Sequence, residues 1–404
     1  MIYIVDRFVE GYLHVLANVN IVKILNLAYP KESKSFVAEK THVDLVKEYF
    51  ETDKSGRLVF LPYNNVHFSN PNKFIQIFRV LIRTIRDIIY FFNFFNSISR
   101  KSDHLVFLTH IYPLSLVFIK IIKIFYPKVK IIVVIHGEIE YLYFGKTRYE
   151  RLIGWVYAVV FKIKAPNFCY FFLTRISKRI LIESGRLTEK ELLASILPTM
   201  PDYQSFIPRI SRGKVRRIGH IGSAGKRKNT DLFYNIAKHF ELEISQNRIV
   251  FSIIGPIEDN LVPYLNPLVE NFVFDKANMH LDRDIFNREA ERIDYSIFFY
   301  GEHDFVLRSS AAFFDAIYFE KPMIVLKNDF FDDIFEEAGE VGYICDTLSE
   351  MEIIIKRIID DEIEVREEYE KQLRNIRKFK QSLNLEKVSE DILTQIRDLG
   401  FELK

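Results

Sequence analysis

Short apolar runs alternate with segments of helical spacing along almost the whole chain. In the first half, the runs that predict strands are Ile2–Val5, Ser35–Ala38, Arg57–Leu61, Leu105–Thr109, Val129–Ile135 and Cys169–Leu173. Helical spacing covers His42–Phe50, Phe74–Ser97, Leu114–Phe125 and Arg148–Phe161. Strands that alternate with helices predict a parallel sheet covered on both faces, because each parallel connection crosses over the sheet.

The alternation breaks once and then starts again. Three prolines with polar spacers predict a linker over Pro198–Arg212. Beyond it, the predicted strands are Arg216–Ile221, Arg248–Ile254, Phe272–Phe274, Tyr295–Tyr300 and Met323–Leu326. The predicted helices are Asp231–Phe240, Asp284–Arg292, Ser310–Phe319 and charged helices from about Glu350. A length of 404 residues accommodates two domains. We therefore predict an α/β protein with two Rossmann-like, doubly wound domains that face a cleft.

Composition narrows the class of protein. With 49% hydrophobic and 27% charged residues, the chain is not mainly disordered. Cys169 and Cys345 are too few for a disulfide framework or a zinc site of their own, which favours a reducing compartment. The N-terminus lacks the features of a secretory signal, and no apolar stretch reaches the ~20 residues that span a bilayer. We expect a cytoplasmic protein.

The charge is distributed unevenly. Residues 1–200 carry 28 Lys and Arg against 16 Asp and Glu, a net charge of +12, whereas residues 201–404 carry −10. The chain is either simply dipolar or has a basic first domain that faces an anionic surface. The stretches Phe74–Arg86 and Val117–Lys130 mix apolar residues with Arg and Lys, which is typical of segments on anionic membranes. The same pattern also fits core helices with solvated cations. No nucleic-acid motif accompanies the charge, so we expect no nucleic acid partner.

Two loops of the second half combine small residues with cations. The first follows the strand Arg216–Ile221 and contains Gly222, Ser223 and Lys228. The second follows the strand Tyr295–Tyr300, and its residues Arg308, Ser309 and Ser310 precede a helix. Backbone N–H groups and cations at a helix N-terminus favour a phosphate, and loops that follow strands of one sheet can converge on it. The alternative is a solvated basic turn in the first loop and a capping Ser310 in the second.

This half, about 160 residues long, resembles the donor domain of GT-B glycosyltransferases of the family 1/4 type, which transfer sugars from nucleotide-sugars. The resemblance rests on the strand–Gly-loop–helix order, on Phe251-Ser252-Ile253-Ile254-Gly255-Pro256 and on Glu320-Lys321-Pro322-Met323-Ile324-Val325. Family members often carry a Lys six residues after the loop Gly, as Lys228 follows Gly222. The resemblance implies a nucleoside-diphosphate sugar as co-substrate and no separate cofactor. It implies this set of donor-binding residues: Gly222, Ser223, Lys228, Arg308, Ser309, Ser310 and Asp315.

The chain departs from the family at two points. Where many retaining members have two Glu eight residues apart, this chain has Leu307 and Asp315, so the stereochemistry stays open. Where an Arg is common directly after the loop Gly, this chain has Ser223, and Arg308 is the candidate to supply that charge. No Asp-x-Asp follows a strand, so we expect catalysis without a metal.

In the first half, His136 and Glu138 directly follow the strand Val129–Ile135. In GT-B enzymes a His or carboxylate at this place faces the acceptor. The resemblance therefore implies that His136 or Glu138 acts as general base in an inverting reaction, or that His136 orients the donor sugar in a retaining one. The alternative is a polar helix start. His110 ends a neighbouring strand and is expected to be a supporting residue.

These observations give one hypothesis with two alternatives. We expect an acceptor domain over about 1–205, a donor domain over about 206–380, and a terminal helix over 381–404 that packs on the first domain. The enzyme would glycosylate a glycan or lipid-linked acceptor in bacterial capsule, lipopolysaccharide or exopolysaccharide synthesis, at the inner face of the cell membrane. The alternatives are a nucleotide-sugar 2-epimerase of the same fold and a catalytically inactive GT-B-like scaffold in a polysaccharide-assembly complex.

Overall fold

The computed structural model describes residues 1–51, 55–64, 73–98, 104–198, 213–272 and 283–403. The contacts within the chain divide it into two units. The first comprises Met1–Pro201, Leu307–Ser309 and Leu385–Lys404, and the second comprises Asp202–Val306 and Ser310–Asn384. Most of the predicted linker Pro198–Arg212 and the end of the predicted strand Phe272–Phe274 lie outside the described residues.

Seven parallel strands form the sheet of the first unit. They are β1 (Ile2–Asp6), β2 (Lys34–Glu39), β3 (Leu58–Tyr63), β4 (Leu105–His110), β5 (Lys130–Ile135), β6 (Phe168–Phe172) and β7 (Leu192–Ala194). Their order across the sheet is β3-β2-β1-β4-β5-β6-β7. The central strands consist mainly of apolar, largely β-branched residues and are buried along their whole length, as in β5. Such runs form strands because both of their faces are covered by helices.

Helices cover both faces of this sheet. They are α1 (Val15–Ala28), α2 (Lys40–Glu48), α3 (Lys73–Ser97), α4 (Pro113–Ile124), α5 (Tyr141–Phe144), α6 (Arg148–Lys162) and α7 (Arg175–Glu183). Helix α4 packs between α3 and α6, whereas α1 packs against α2. The strand order reverses direction between β1 and β4, and right-handed crossovers therefore place these two helix groups on opposite faces.

The second unit repeats this plan with six parallel strands. The strands are β8 (Arg216–Ile221), β9 (Ile249–Ile254), β10 (Val269–Phe272), β11 (Tyr295–Phe298), β12 (Met323–Leu326) and β13 (Gly342–Cys345), in the order β10-β9-β8-β11-β12-β13. The helices are α8 (Asp231–His239), α9 (Glu241–Ser245), α10 (Arg283–Arg292), α11 (Ala311–Tyr318), α12 (Asp329–Ala338), α13 (Leu348–Ile359) and α14 (Ile363–Ser382).

The last helix, α15 (Leu385–Asp398), belongs to the first unit. Its apolar side chains Val388, Ile392 and Ile396 are buried in the core that contains α1. The side-chain amide of Gln395 both accepts from and donates to the backbone of Ala194, at 3.0 Å in each case. Residues from both ends of the chain therefore complete one core.

The predicted fold class is confirmed: both units are doubly wound parallel α/β sheets. In each sheet the strand order reverses beside the first strand, between β1 and β4 in one unit and between β8 and β11 in the other. The carboxyl ends of strands at such a reversal are where open α/β sheets bind ligands. The sequence prediction placed β3 at Arg57–Leu61. It missed these elements: α1, α5, α7, α9, α12, β7 and β13. No described helix is both long and apolar enough to cross a bilayer.

Candidate functional site

A tight pair of glycine turns follows the central strands of the second unit. Gly222, directly after β8, has φ +89°, and its N–H donates to the Ile254 carbonyl at 2.9 Å. Gly255, after β9, has φ +151°, and a Cβ there would lie 2.2 Å from the Gly222 oxygen. Only glycine fits a backbone approach this close. The predicted glycine-containing loop after β8 is therefore a well-defined turn at the carboxyl edge of the sheet.

Lys228 curls back over this loop. Its Nζ donates to the Ser223 carbonyl at 2.8 Å and to Ser223 Oγ at 2.9 Å. Lys226, two residues earlier, instead pairs with Asp231 at 2.7 Å and lies over the Tyr264 ring. The predicted residues Gly222, Ser223 and Lys228 thus form one group, with an ammonium at the loop.

The helix α11 begins beside the same loop. A Cβ on Gly222 would lie 3.2 Å from the Ala312 Cβ, so the two predicted loops do converge. Ser310 caps α11: its Oγ accepts from the Phe313 N–H at 3.2 Å and contacts the Tyr300 hydroxyl at 2.7 Å. Its hydroxyl is therefore used within the protein, as in the capping alternative. Asp315 is half-buried, one turn further along α11.

Two predicted donor residues fall in the other unit. By its contacts, Leu307–Ser309, which includes Arg308 and Ser309, groups with the first unit. Arg308 Nε lies 3.1 Å from Glu140 Oε2, and both side chains are largely buried. A carboxylate thus faces the guanidinium that the sequence suggested for phosphate.

A histidine under the Gly-loop was not singled out from the sequence. His220, on β8, is fully buried, and its two ring nitrogens lie 3.3 Å from the Ile297 carbonyl and 3.2 Å from the Ser223 carbonyl. Burial, followed by the nearby Lys228 cation, lowers the pKa of His220 to about 4. It is therefore neutral at pH 7 and supports the loop from below.

In the first unit, the strand order brings the carboxyl ends of β1, β4 and β5 together. Asp6, the last residue of β1, is buried and accepts from the Val9 N–H at 2.9 Å, from Asn18 Nδ2 at 2.9 Å and from Thr109 Oγ1 at 3.0 Å. Burial acts to raise the pKa of Asp6, but His110 and the hydrogen bonds from Val9 and Asn18 outweigh it and hold the pKa below its usual value. A fixed carboxylate therefore anchors this edge.

Three histidines meet above this carboxylate. His110 ends β4, His136 follows β5, and His14 is the N-terminal cap of α1 with φ 57°. The His110 and His136 rings stack with their centroids 4.1 Å apart, and the His14 centroid lies 5.3 Å and 5.0 Å from them. His136 Nε2 lies 2.6 Å from the Thr109 carbonyl, which can only accept, so Nε2 carries the proton. We call these three residues the histidine cluster.

Burial keeps two of these rings neutral. It is the main cause that lowers the pKa of His14 to about 4 and the pKa of His136 well below its ordinary value. Glu138 lies in the turn after His136, and its Oε1 is 3.8 Å from His110 Nε2. Burial acts to raise the pKa of Glu138, but the contact with His110 outweighs it and lowers the pKa to about 2. At neutral pH the site therefore offers the neutral imidazoles of His14 and His136 beside an ionised Glu138.

The histidine cluster is also the possible ligand set for a metal in the described part of the chain. One nitrogen from each ring lies within 4.8 Å of the others. Three imidazoles are a donor set that zinc accepts. The expectation of a metal-independent reaction remains a prediction.

Comparison with known proteins identifies the fold. No protein-family model matches the chain, and no curated protein matches its sequence significantly. In structure the chain is similar to TarM of S. aureus, solved with fondaparinux, alpha-GlcNAc-glycerol and UDP, at TM-score 0.55 and 14% identity over 78% of this chain. The chain spans 58% of the length of TarM.

Two further structures match over nearly their full length. One is an alpha,alpha-trehalose-phosphate synthase (UDP-forming) from Burkholderia xenovorans with glucose-6-phosphate, at TM-score 0.61 and 11% identity over 99% of this chain and 100% of that chain. The other is a putative UDP-N-acetylglucosamine 2-epimerase from Listeria monocytogenes, at TM-score 0.56 and 12% identity over 93% and 91%. At this identity the likeness shows the fold alone, and that fold is GT-B, as expected from the sequence.

Proposed function

We propose that this chain is a glycosyltransferase that moves a sugar from a nucleoside-diphosphate sugar to a glycan or lipid-linked acceptor in bacterial surface polysaccharide synthesis. The observation that carries the proposal is the convergence of the Gly222 turn, the Lys228 ammonium and the N-terminus of α11 at one sheet edge. Structures of similar fold support it, since one was solved with UDP and alpha-GlcNAc-glycerol and another is a UDP-forming synthase.

In this proposal the second unit holds the donor. The Lys228 ammonium and the backbone N–H groups at the start of α11 bind the diphosphate, with Ser223 and Ser310 keeping the two loops in shape. Negative charge grows on the diphosphate as the sugar leaves, and a fixed cation together with a helix N-terminus stabilises it without a metal. Asp315 is assigned to the donor sugar. Arg308 and Ser309 are assigned to the diphosphate only if the Arg308–Glu140 pair opens.

The first unit supplies the acceptor chemistry. In this proposal Glu138 takes the proton from an acceptor hydroxyl, which is the role of a general base in an inverting reaction. His136 holds its Nε2 proton against Thr109 and therefore keeps its other nitrogen for a hydroxyl. In a retaining reaction His136 orients the donor sugar instead. If the acceptor is lipid-linked, the enzyme acts in the cytoplasm, at the inner face of the cell membrane.

A panel of nucleotide-sugars tests the proposal. Calorimetric titration with UDP, GDP, CDP and ADP identifies the base, and the matching donors are then incubated with and without lipid extracts as acceptor. Release of nucleoside diphosphate that requires the acceptor is the expected result. Failure of all four diphosphates to bind would remove the donor site and the proposal with it.

The second candidate is a nucleotide-sugar 2-epimerase, which the likeness to the Listeria structure favours. An epimerase converts its donor without any acceptor, so proton NMR of the donor alone separates the two activities. Binding of a nucleotide without any turnover in either assay favours the inactive scaffold.

A further inference from the structure

Helix α3 exposes an apolar stripe along one side. The exposed side chains follow each other at intervals of three or four residues, which places them on one helical face. They are Ile75, Phe78, Leu81, Ile85, Ile89 and Phe92, between 42% and 63% exposed. A helix of this kind normally buries such a stripe against the core, but here the stripe faces away from it.

The neighbouring helices extend this surface. Helix α4 packs between α3 and α6, so the three helices form one layer on the sheet. The exposed apolar side chains of α4 and of its final turn are Phe118, Ile121, Ile124 and Phe125, and those of α6 are Tyr149, Leu152 and Trp155. Contiguous apolar surfaces of this extent are rare on monomeric proteins and mark an interaction site. We call it the apolar face.

The exposed charged side chains of the helices that form the apolar face, and of the ends of these helices, have one sign. Among the described residues of α3, α4, α6 and their ends, the exposed charged side chains are Arg86, Lys128, Lys146, Arg148, Arg151, Lys162 and Lys164, the last of which pairs with Glu191. The acids of these helices are hydrogen-bonded within the protein. Asp87 is buried and bonds to Arg7 and Ser115, and Glu150 caps α6 by accepting from Lys146 N and Thr147 N.

Several cations in the two stretches that resemble membrane-binding segments are buried and bond within the protein. Lys120 Nζ donates to the Val160 carbonyl and the Tyr170 hydroxyl, and Lys123 Nζ donates to the Pro166 carbonyl. Arg83 pairs with Glu10 at 2.9 Å. These three cations cannot reach lipid head groups, so any docking on a membrane relies chiefly on apolar contact.

We propose that the apolar face docks on the surface of an anionic lipid bilayer. Its apolar side chains enter the boundary of the acyl chains, and the bordering cations meet the anionic head groups, as in interfacial amphipathic helices. A second copy of this chain is a poorer occupant, because it would bring cations against cations. The docking itself is inferred independently of the proposed function. Only the reason for docking, which is access to a lipid-linked acceptor, rests on that function.

Vesicle binding tests the inference without any nucleotide-sugar. The protein is sedimented with vesicles of phosphatidylcholine alone and of phosphatidylcholine mixed with phosphatidylglycerol. Trp155 is the only tryptophan of the chain and lies on the apolar face, so its emission is a direct reporter. We expect binding to the anionic vesicles, a blue shift of the emission and protection from acrylamide quenching. Salt should weaken this binding without abolishing it, because the apolar contacts are unscreened.

A double substitution with a matched control identifies the surface. Phe78→Ser with Ile85→Ser should lower the vesicle partition coefficient at least tenfold, because both side chains are exposed and their removal leaves the fold intact. Ile353→Ser changes a similarly exposed residue, 60% accessible on α13 of the second unit, and should leave the partition unchanged. Absence of binding to anionic vesicles, or equal binding by the double variant, overturns the inference.

Two parallel measurements keep the outcomes distinct. Light scattering of the protein without vesicles reports self-association. If the parent protein is a dimer and the double variant is not, the apolar face binds a second copy, and the proposal of bilayer docking is overturned. Calorimetric titration with nucleoside diphosphates reports the donor site. Vesicle binding without nucleotide binding would sustain this inference while the proposed function fails.

Discussion

At the scale of single residues, the Lys228 ammonium is the most direct test of the donor site. A nucleoside diphosphate would replace its contacts with Ser223 by charge-assisted hydrogen bonds to phosphate. Lys228→Ala should therefore weaken nucleoside diphosphate binding by about 1.5–3 kcal/mol, measured by calorimetry. Lys226→Ala is the control, since Lys226 is paired with Asp231 on the same turn. An equal loss in both variants would mean that only general charge matters.

Glu138 and His136 carry the second residue-scale prediction. Glu138→Gln keeps the shape of the side chain but removes the base, and His136→Ala removes the imidazole. Loss of a general base typically costs ~10²–10⁴ in rate, so we expect turnover to fall at least tenfold in one of the variants. Nucleotide affinity, measured on the same samples, should change little. Parent rates in both variants would direct the search for the base to His14 and His110.

Protonation of His220 should make the free energy of unfolding depend on pH. Its pKa is about 4 in the folded protein and about 6.5 when unfolded, so the unfolded chain binds the proton first. The free energy of unfolding should therefore fall as the pH drops from about 6.5 towards 4, by about 3 kcal/mol in all. His220→Gln lacks this group, and its urea midpoint should change less between pH 7 and pH 5. Identical losses for parent and variant would show that His220 does not cause the dependence.

At the scale of elements, the turns after β8 and β9 depend on each other. A side chain at Gly255 would clash with the Gly222 carbonyl and would also require a left-handed backbone. Gly255→Ala should cost on the order of 3 kcal/mol of unfolding free energy and weaken nucleotide binding, because the Gly222 turn must shift. Gly185→Ala has a positive φ of 65° but open space around it, so it should cost about 1 kcal/mol. Equal costs in chemical denaturation would exclude the clash.

Most of these elements can be predicted from the sequence, because the hydrophobic period and the length of an apolar run suffice to identify a buried parallel strand. The predicted strands Arg216–Ile221 and Met323–Leu326 are observed with the same bounds. Helix α1 was missed because it is apolar on most sides and is capped by His14 in a left-handed conformation, without a capping side-chain hydrogen bond. Strand β7 has only three residues, too few for a recognisable period.

The candidate site could be predicted only where the chemistry is local. Gly222, Ser223 and Lys228 lie within seven residues, and their loop is visible as a motif. The histidine cluster combines residues from two strand ends and from the start of α1, and no short pattern links His14 to His110 and His136. The Arg308–Glu140 pair joins residues 168 positions apart, so sequence reasoning assigned this guanidinium to a phosphate alone.

At the scale of the whole molecule, α15 ties the end of the chain to the first unit. Ile392 is 1% exposed in the core shared with α1, and Ile392→Ala should destabilise that unit by about 2–5 kcal/mol. Hydrogen exchange read by mass spectrometry should accelerate in β1 and β2 and stay unchanged in β8 and β9. Thr394→Ala, on the exposed side of α15, is the control. Acceleration in both units would show that they unfold together.

The position of α15 also sets an order of events during synthesis. The sheet of the first unit leaves the ribosome first, but the helix that covers part of its core follows only after the second unit has been translated. At 5–20 residues per second, the delay between residue 198 and residue 398 is roughly 10–40 seconds. During that time the surface that will meet Ile392 and Ile396 is open to chaperones. We therefore expect the second unit to reach its native state first, so that the order of folding reverses the order of translation.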